Sequence, residues 1–322
     1  MKALVTGATG FVGSHLAEAL RRRGDDVTAL ARSAGKAAAL SPLGVRVVAG
    51  DLHDRDALGR AAEGQDVIYH VAGIVAARSE ADFIAANRDG TQNVIEAAQR
   101  AGTVRLVYVS SMAAVGPTIK GRPLRGDEVP RPVTAYGRSK LAAERLVTAS
   151  RLGWSIVRPP MVYGPRDQEV LKVFRLARFG LAPVLGDGSQ ELSAVHGADL
   201  TEALIAVGTS AGTVGRAYYA CHPEVFTGAE LVRAVGRAMG KSPRLIRVPA
   251  PIGRGVLRVT EAAARLTGRT TILTADKANE FFQPAWTGDP EPLARDAGWQ
   301  AARDLRTGLE ETYQWYRTAG WL

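Results

Sequence analysis

Short apolar, β-branched runs alternate with longer alanine-rich stretches through the first half of the chain. The runs at Ala3–Thr6, Val27–Leu30, Val45–Ala49, Val67–Val71, Leu106–Ser110 and Ser155–Val157 predict strands. Several are almost continuously apolar, which suits parallel strands covered by helices on both faces. Helical spacing predicts helices over Phe11–Arg23, Arg55–Ala62, Ala81–Ala101 and Ala135–Arg151, the last with Thr134 as its N-cap. This alternation predicts an α/β fold with a doubly wound parallel sheet. Beyond about residue 160 the alternation loosens, and Pro and Gly punctuate the chain more often. Helical segments near 168–179, 198–208, 228–239, 252–266 and 302–317 then predict a smaller, mixed lobe. The expected division is residues 1–163 and 164–322, with segments near 190–222 completing the sheet.

Composition narrows the picture modestly. The 322 residues are 46% hydrophobic and 23% charged, an ordinary globular balance and enough chain for one large or two intimate domains. No apolar run approaches the ~18–20 residues of a membrane span. The N-terminus enters its first strand with no room for a signal peptide, and the single cysteine, Cys221, excludes an intramolecular disulfide. A cytoplasmic location is the expectation. The net charge of +9 raises nucleic acid as a partner. Yet the basic residues are scattered, Arg21-Arg22-Arg23 falls where a helix should end, and no aromatic residues interleave to stack bases. No nucleic acid is expected, only a preference for anionic small molecules. Arg254, Arg258 and Arg265 stand among apolar residues in 252–266, which suits an ordinary amphipathic helix, a roof over a pocket or a membrane-surface segment.

The segment Thr6-Gly7-Ala8-Thr9-Gly10-Phe11-Val12-Gly13 ends the first strand and opens the first helix. Its glycines suit a tight turn, a close backbone approach to a pyrophosphate and close helix–strand packing, with the helix N–H groups facing the anion. A Rossmann-type dinucleotide site is therefore expected. After the second strand the chain reads Ala31-Arg32-Ser33, with no carboxylate for a ribose 2′-hydroxyl. Arg32 suits the 2′-phosphate of NADP(H), with NAD(H) the other possibility. Asp51 and Leu52 follow the third strand beside the expected adenine site, although Asp51 suits a turn equally well. Val71, Ala72 and Gly73 follow the fourth, where glycine lets backbone pass close to the ribose.

Tyr136 and Lys140 lie one helical turn apart, so a phenol and an ammonium share a face. A nearby cation favours phenolate and brings Tyr136 towards the range of a general acid/base.

Glycine loop, strand-end Ser110-Ser111 and Tyr136-x-x-x-Lys140 together resemble the short-chain dehydrogenase/reductase superfamily. The length, the T-G-x-x-G-x-x-G form, Arg158-Pro159-Pro160-Met161-Val162-Tyr163-Gly164-Pro165 and the Gly186-Asp187-Gly188 loop before His196 resemble its extended branch. That branch holds nucleotide-sugar epimerases and dehydratases, 3β-hydroxysteroid dehydrogenases and dihydroflavonol reductases. The resemblance implies that Tyr136 moves the proton of a carbonyl/alcohol oxygen and that Lys140 holds the nicotinamide ribose and, with the positive oxidised ring, lowers the Tyr136 pKa. It implies that Ser111, with Ser110 as second choice, orients the substrate oxygen. Asn87 takes the family's mid-helix asparagine place, in a structural or proton-relay role. Val109, Pro159, Met161 and Val162 are implied beside the cofactor, and Met112, Tyr163 and Leu192 on the substrate side. No metal is implied, and a homodimer is.

Two departures bear on substrate. Dehydratases of the branch carry an acidic pair after the catalytic serine, where this chain has Met112-Ala113. Nucleotide-sugar enzymes usually carry a diphosphate-binding arginine where this chain has Leu192. The reading is an NADP(H)-dependent reductase or dehydrogenase of a small hydrophobic ketone, aldehyde or alcohol. A nucleotide-sugar 4-epimerase with retained NAD and a non-catalytic cofactor sensor on the same fold are the alternatives.

Overall fold

The computed structural model describes residues 1–322 except Arg269. Seven parallel strands form the central sheet: β1 (Lys2–Thr6), β2 (Asp26–Ala31), β3 (Arg46–Ala49), β4 (Val67–His70), β5 (Arg105–Val109), β6 (Gly153–Val157) and a last strand at Arg216–Tyr218. Their spatial order runs from Arg216–Tyr218 through β6, β5, β4, β1 and β2 to β3. The chain winds outward from β1 to β3, then restarts at β4 on the other side of β1. The carboxyl ends of β1 and β4 therefore flank the point where winding reverses, the usual ligand crevice of such sheets.

Each face of the sheet is covered, which explains the continuous apolar strands. On one face Leu16 and Leu20 of helix Phe11–Arg22 pack with Leu200, Leu204 and Val207 of helix Gly197–Thr209. On the other, Leu58, Val94, Ala143 and Val147 pack from helices Arg55–Ala62, Gly90–Arg100 and Ala135–Ala149.

The predicted elements recur with ends shifted by a few residues. One difference matters for the site. The expected helix over Ala81–Ala101 begins at Glu80 and contains a wider π-type turn over Ile84–Asp89. Asn87 lies within that turn, and its side chain bonds outward to Ile74 and Ser139. Thr134 does cap helix Ala135–Ala149, accepting a bond from the Gly137 N–H at 3.2 Å.

The smaller lobe has its own core, built from Phe174, Phe226, Val235, Leu309 and Tyr316. Leu305 and Leu309 are buried as their helical spacing suggests, whereas Tyr313 is only partly covered. The sheet's edge strand, Arg216–Tyr218, comes from beyond residue 200, so the chain returns from the smaller lobe to the sheet.

Candidate active site

Each strand end contributes a different part of one groove of about 980 Å³. The glycine loop forms its floor at the β1 end. Gly7 has φ +75°, and a Cβ there would lie 2.8 Å from the Ala72 backbone. A Cβ on Gly13 would lie 2.1 Å from the Gly7 carbonyl oxygen, so only glycine permits this helix–loop contact. Gly10 is the N-cap of helix Phe11–Arg22 and brings no side chain to its N–H groups, nor does the first turn hold a carboxylate. These donors face the groove unshielded by acid, a fit for a pyrophosphate.

The groove continues past Thr6, Thr9, Phe11 and Val12 to Arg32 and Lys36 beyond β2, and to Asp51 and Leu52 beyond β3. The Asp51 carboxylate accepts the His53 and Asp54 N–H groups at 2.7 and 3.1 Å, so it also closes a turn. Val71, Ala72, Gly73 and Val109 line the middle. Ser110, Ser111, Tyr136, Lys140, Pro159 and Val162 line the far end. All of these except Lys36 were singled out by sequence.

Lys140 is almost fully buried and donates to the Val109 carbonyl at 2.8 Å, with its ammonium 4.4 Å above the Tyr108 ring. Burial lowers its pKa to about 7, partly offset by Glu144 one turn on. Tyr136 departs from expectation. Burial pushes its phenol up to about 12, with the Ser111 hydroxyl opposing the rise. Lys140 spends its ammonium on a backbone carbonyl, so loss of water outweighs any cationic help to the phenolate.

A hydrogen-bonded chain that sequence reading missed ties the glycine loop to the Tyr136 helix. The Ala72 N–H donates to Thr6 Oγ1, which meets His70 Nδ1 at 2.7 Å. His70 Nε2 meets Thr91 Oγ1 at 2.9 Å, and that hydroxyl donates to the Asn87 carbonyl. Thr91 must therefore accept from His70, which fixes the neutral Nε2–H form and leaves Nδ1 to accept from Thr6. Burial lowers the His70 pKa to about 3, consistent with that form. Asn87 Nδ2 donates to Ser139 Oγ at 2.9 Å, and Ser139 donates to the Tyr136 carbonyl. Asn87 itself does not line the groove; it holds the Ile74 backbone, which does.

Four further expected residues lie elsewhere. Met112 is buried with Val115, Leu124 and Tyr219. Tyr163 is buried in the smaller lobe, its hydroxyl 3.3 Å from the Asp304 carbonyl and its ring edge-on to His196. Leu192 and Met161 pack against that same lobe's core. Alternation along strand Met161–Tyr163 explains the split: Val162 reaches the groove and its two neighbours do not. The absence of an arginine at 192 therefore says little about the groove itself.

Distant segments supply what local sequence could not announce. Ile272 and Lys277 enter the groove wall, with the Lys277 ammonium 5.5 Å from the Tyr136 ring centre. Asp276 accepts the Ala135 N–H at 2.9 Å, and Glu280 accepts the Thr134 hydroxyl at 2.7 Å, both at the start of the Tyr136 helix. Arg166 also lines the groove, but Glu18 pairs with it at 2.8 Å. Among the described residues no cluster of His, Cys, Asp or Glu is arranged to hold a metal. Cys221 is buried, its thiol pushed up to about 12 by that burial.

Fold and site define a dinucleotide-binding α/β enzyme of the short-chain dehydrogenase/reductase type. The chain belongs to the NAD dependent epimerase/dehydratase family, whose model matches residues 3–221. It is similar to the ceramide reductase of Caulobacter vibrioides (strain NA1000 / CB15N), 36% identical over 323 residues that cover 99% of this chain and 95% of the relative. It is also similar to the 2-alkyl-3-oxoalkanoate reductase of Stenotrophomonas maltophilia (strain K279a), 32% identical and covering 96% and 97% of the two chains. Among solved structures it resembles MoeE5 in complex with UDP-glucuronic acid and NAD, at a TM-score of 0.79, 26% identity and coverage of 99% and 100%.

Proposed function

We propose that this oxidoreductase uses NADP(H) to interconvert a ketone or aldehyde and an alcohol on a small hydrophobic molecule. The observation that carries the reading is the single groove joining the glycine loop to Ser111, Tyr136 and Lys140. A bound nicotinamide supplies or accepts the hydride at the carbonyl carbon. Tyr136 gives the proton to the carbonyl oxygen, and Ser111, which lines the same end of the groove, orients that oxygen. A phenol near 12 keeps its proton at neutral pH until the substrate oxygen becomes strongly basic, which suits reduction. Lys140, its ammonium held by the Val109 carbonyl, would bind the nicotinamide ribose.

Ile74, Val75, Ala86 and Ile272 bring apolar surface to the groove, and the two curated relatives are named for carbonyl or ceramide reduction. Arg32 and Lys36 support the choice of NADP(H). In this reading residues 1–163 hold the dinucleotide, 164–322 mainly the substrate, and the enzyme is a cytoplasmic homodimer. The second reading, a nucleotide-sugar 4-epimerase with retained NAD, draws on the likeness to UDP-sugar-bound MoeE5.

The test follows NADPH absorbance with a panel of alkyl ketones and aldehydes. Tyr136→Phe should lower kcat by at least ~100-fold while NADPH binding persists. If no carbonyl gives Tyr136-dependent oxidation and a UDP-sugar stabilises the protein instead, the second reading replaces the first. Arg32→Ala should reduce the preference for NADPH over NADH by about tenfold, as loss of one charge-assisted bond requires. An unchanged ratio removes Arg32 from cofactor choice.

A further inference from the structure

Lys277 follows helix Ala250–Leu266 in the chain, yet it lines the groove with its ammonium 5.5 Å from the Tyr136 ring centre. Its side chain is only 23% exposed, too covered for a freely solvated lysine. Glu280 holds it in an ion pair and itself accepts the Thr134 hydroxyl at 2.7 Å. The ammonium is thus tied to the start of the Tyr136 helix.

An ammonium carries three donors. Glu280 takes one, and no other group among the described residues accepts from Lys277. Its remaining close neighbours, Tyr136 and Phe281, present ring faces to it. In an open groove water serves the spare donors. A substrate that fills the groove removes that water, and donors left unpaired then count against binding.

The charges nearby decide what kind of acceptor suits them. Asp276 accepts the Ala135 N–H at 2.9 Å, so Asp276 and Glu280 set two carboxylates around one ammonium. Arg138, on the same helix as Tyr136, is paired with Glu80 at 2.7 Å, and Lys140 is held by the Val109 carbonyl. This wall has no surplus positive charge for a carboxylate. A neutral oxygen meets the same donors without that repulsion.

We infer that Lys277 is a specificity-determining residue that donates to a second, neutral oxygen of the substrate, an amide carbonyl one methylene away from the reacting ketone. With the ketone oxygen at Tyr136, a carbonyl one methylene away reaches towards the wall where Lys277 stands. The inference rests on the proposed function, and it narrows the substrate from hydrophobic carbonyl compounds at large to 3-oxo amides.

The test compares NADPH-dependent reduction of 3-oxooctanamide, 3-oxooctanoate and isobutyl pentyl ketone, which replaces the amide by an apolar group of similar shape. An amide also activates the neighbouring ketone chemically, so the readout is how each substitution changes the ratio of kcat/KM values. Lys277→Met should lower the amide-over-ketone ratio about tenfold, the scale of one charge-assisted hydrogen bond, and Lys277→Arg should keep most of it. Thermal melting and NADPH binding, measured on each variant, show that the fold is intact. Glu280→Gln removes one of the two carboxylates, so 3-oxooctanoate should gain on the amide by about threefold or more. An amide-over-ketone ratio unchanged in Lys277→Met overturns the inference. A larger loss on 3-oxooctanoate than on the amide, or no gain of the acid in Glu280→Gln, overturns the neutral oxygen. If no carbonyl compound shows Tyr136-dependent turnover, the proposed function fails and the inference with it; turnover without the Lys277 effect removes the inference alone.

Discussion

Lys140 shows how burial changes what a residue type ordinarily does. A lysine in water titrates near 10.5, and this one is lowered to about 7 by its loss of hydration. Between those values the unfolded chain binds a proton that the folded chain does not. Folding stability therefore gains as pH rises from about 7 to about 10. Urea unfolding across that window should show the gain in the wild type, and Lys140→Met should flatten it while abolishing turnover. An equal slope in both proteins would mean that Lys140 stays charged in the fold. Spacing four residues apart already paired Tyr136 with Lys140. Their titration behaviour was illegible, because it depends on Val109, Glu144 and the water they displace.

At the scale of elements, the decisive feature is how the Tyr136 helix is fastened. Arg158, at the end of β6, forms a buried two-pronged pair with Glu144 of that helix at 2.9 and 2.8 Å. The chain then passes through Pro159 and Pro160 along the groove. Sequence marked the Arg158-Pro159-Pro160 run but gave no partner for the arginine. Glu144→Gln leaves a buried guanidinium without its counter-charge, and should cost about 3–5 kcal/mol in urea unfolding. A loss below about 1 kcal/mol would show that solvent or Tyr219 replaces the carboxylate. The π-type turn at Asn87 is a second case: helical periodicity gave the helix, and only the bonds to Ile74 and Ser139 reveal why it widens there.

For the whole molecule, the question is what joins the two halves of the chain. Helix Gly197–Thr209 lies on the sheet, yet its Asp199 is fully buried and binds the late segment before the last helix. The Asp199 carboxylate accepts both the Arg303 N–H, at 2.9 Å, and its guanidinium, at 2.5 Å, while the Trp299 indole donates to the Asp199 carbonyl at 3.1 Å. Asp199→Asn should lower unfolding stability by about 2 kcal/mol in a single transition, since the cluster belongs to sheet cover and C-terminal segment at once. Two separate transitions would mean that the halves unfold independently.

The sequence by itself determined what is local. Apolar runs set the strands, glycine spacing set the phosphate loop, and a four-residue interval set the phenol beside the ammonium, because backbone geometry converts short spacing directly into position. Tertiary structure alone decided direction and company. Met112, Met161, Tyr163 and Leu192 face cores instead of the groove, since packing chooses which side of a strand or turn is inward. His70 joins the glycine loop to Asn87, and Asp276, Lys277 and Glu280 arrive from about 140 residues away to cap and flank the Tyr136 helix. Contacts of that separation leave no periodic trace in a chain; they exist only once the two lobes close on each other.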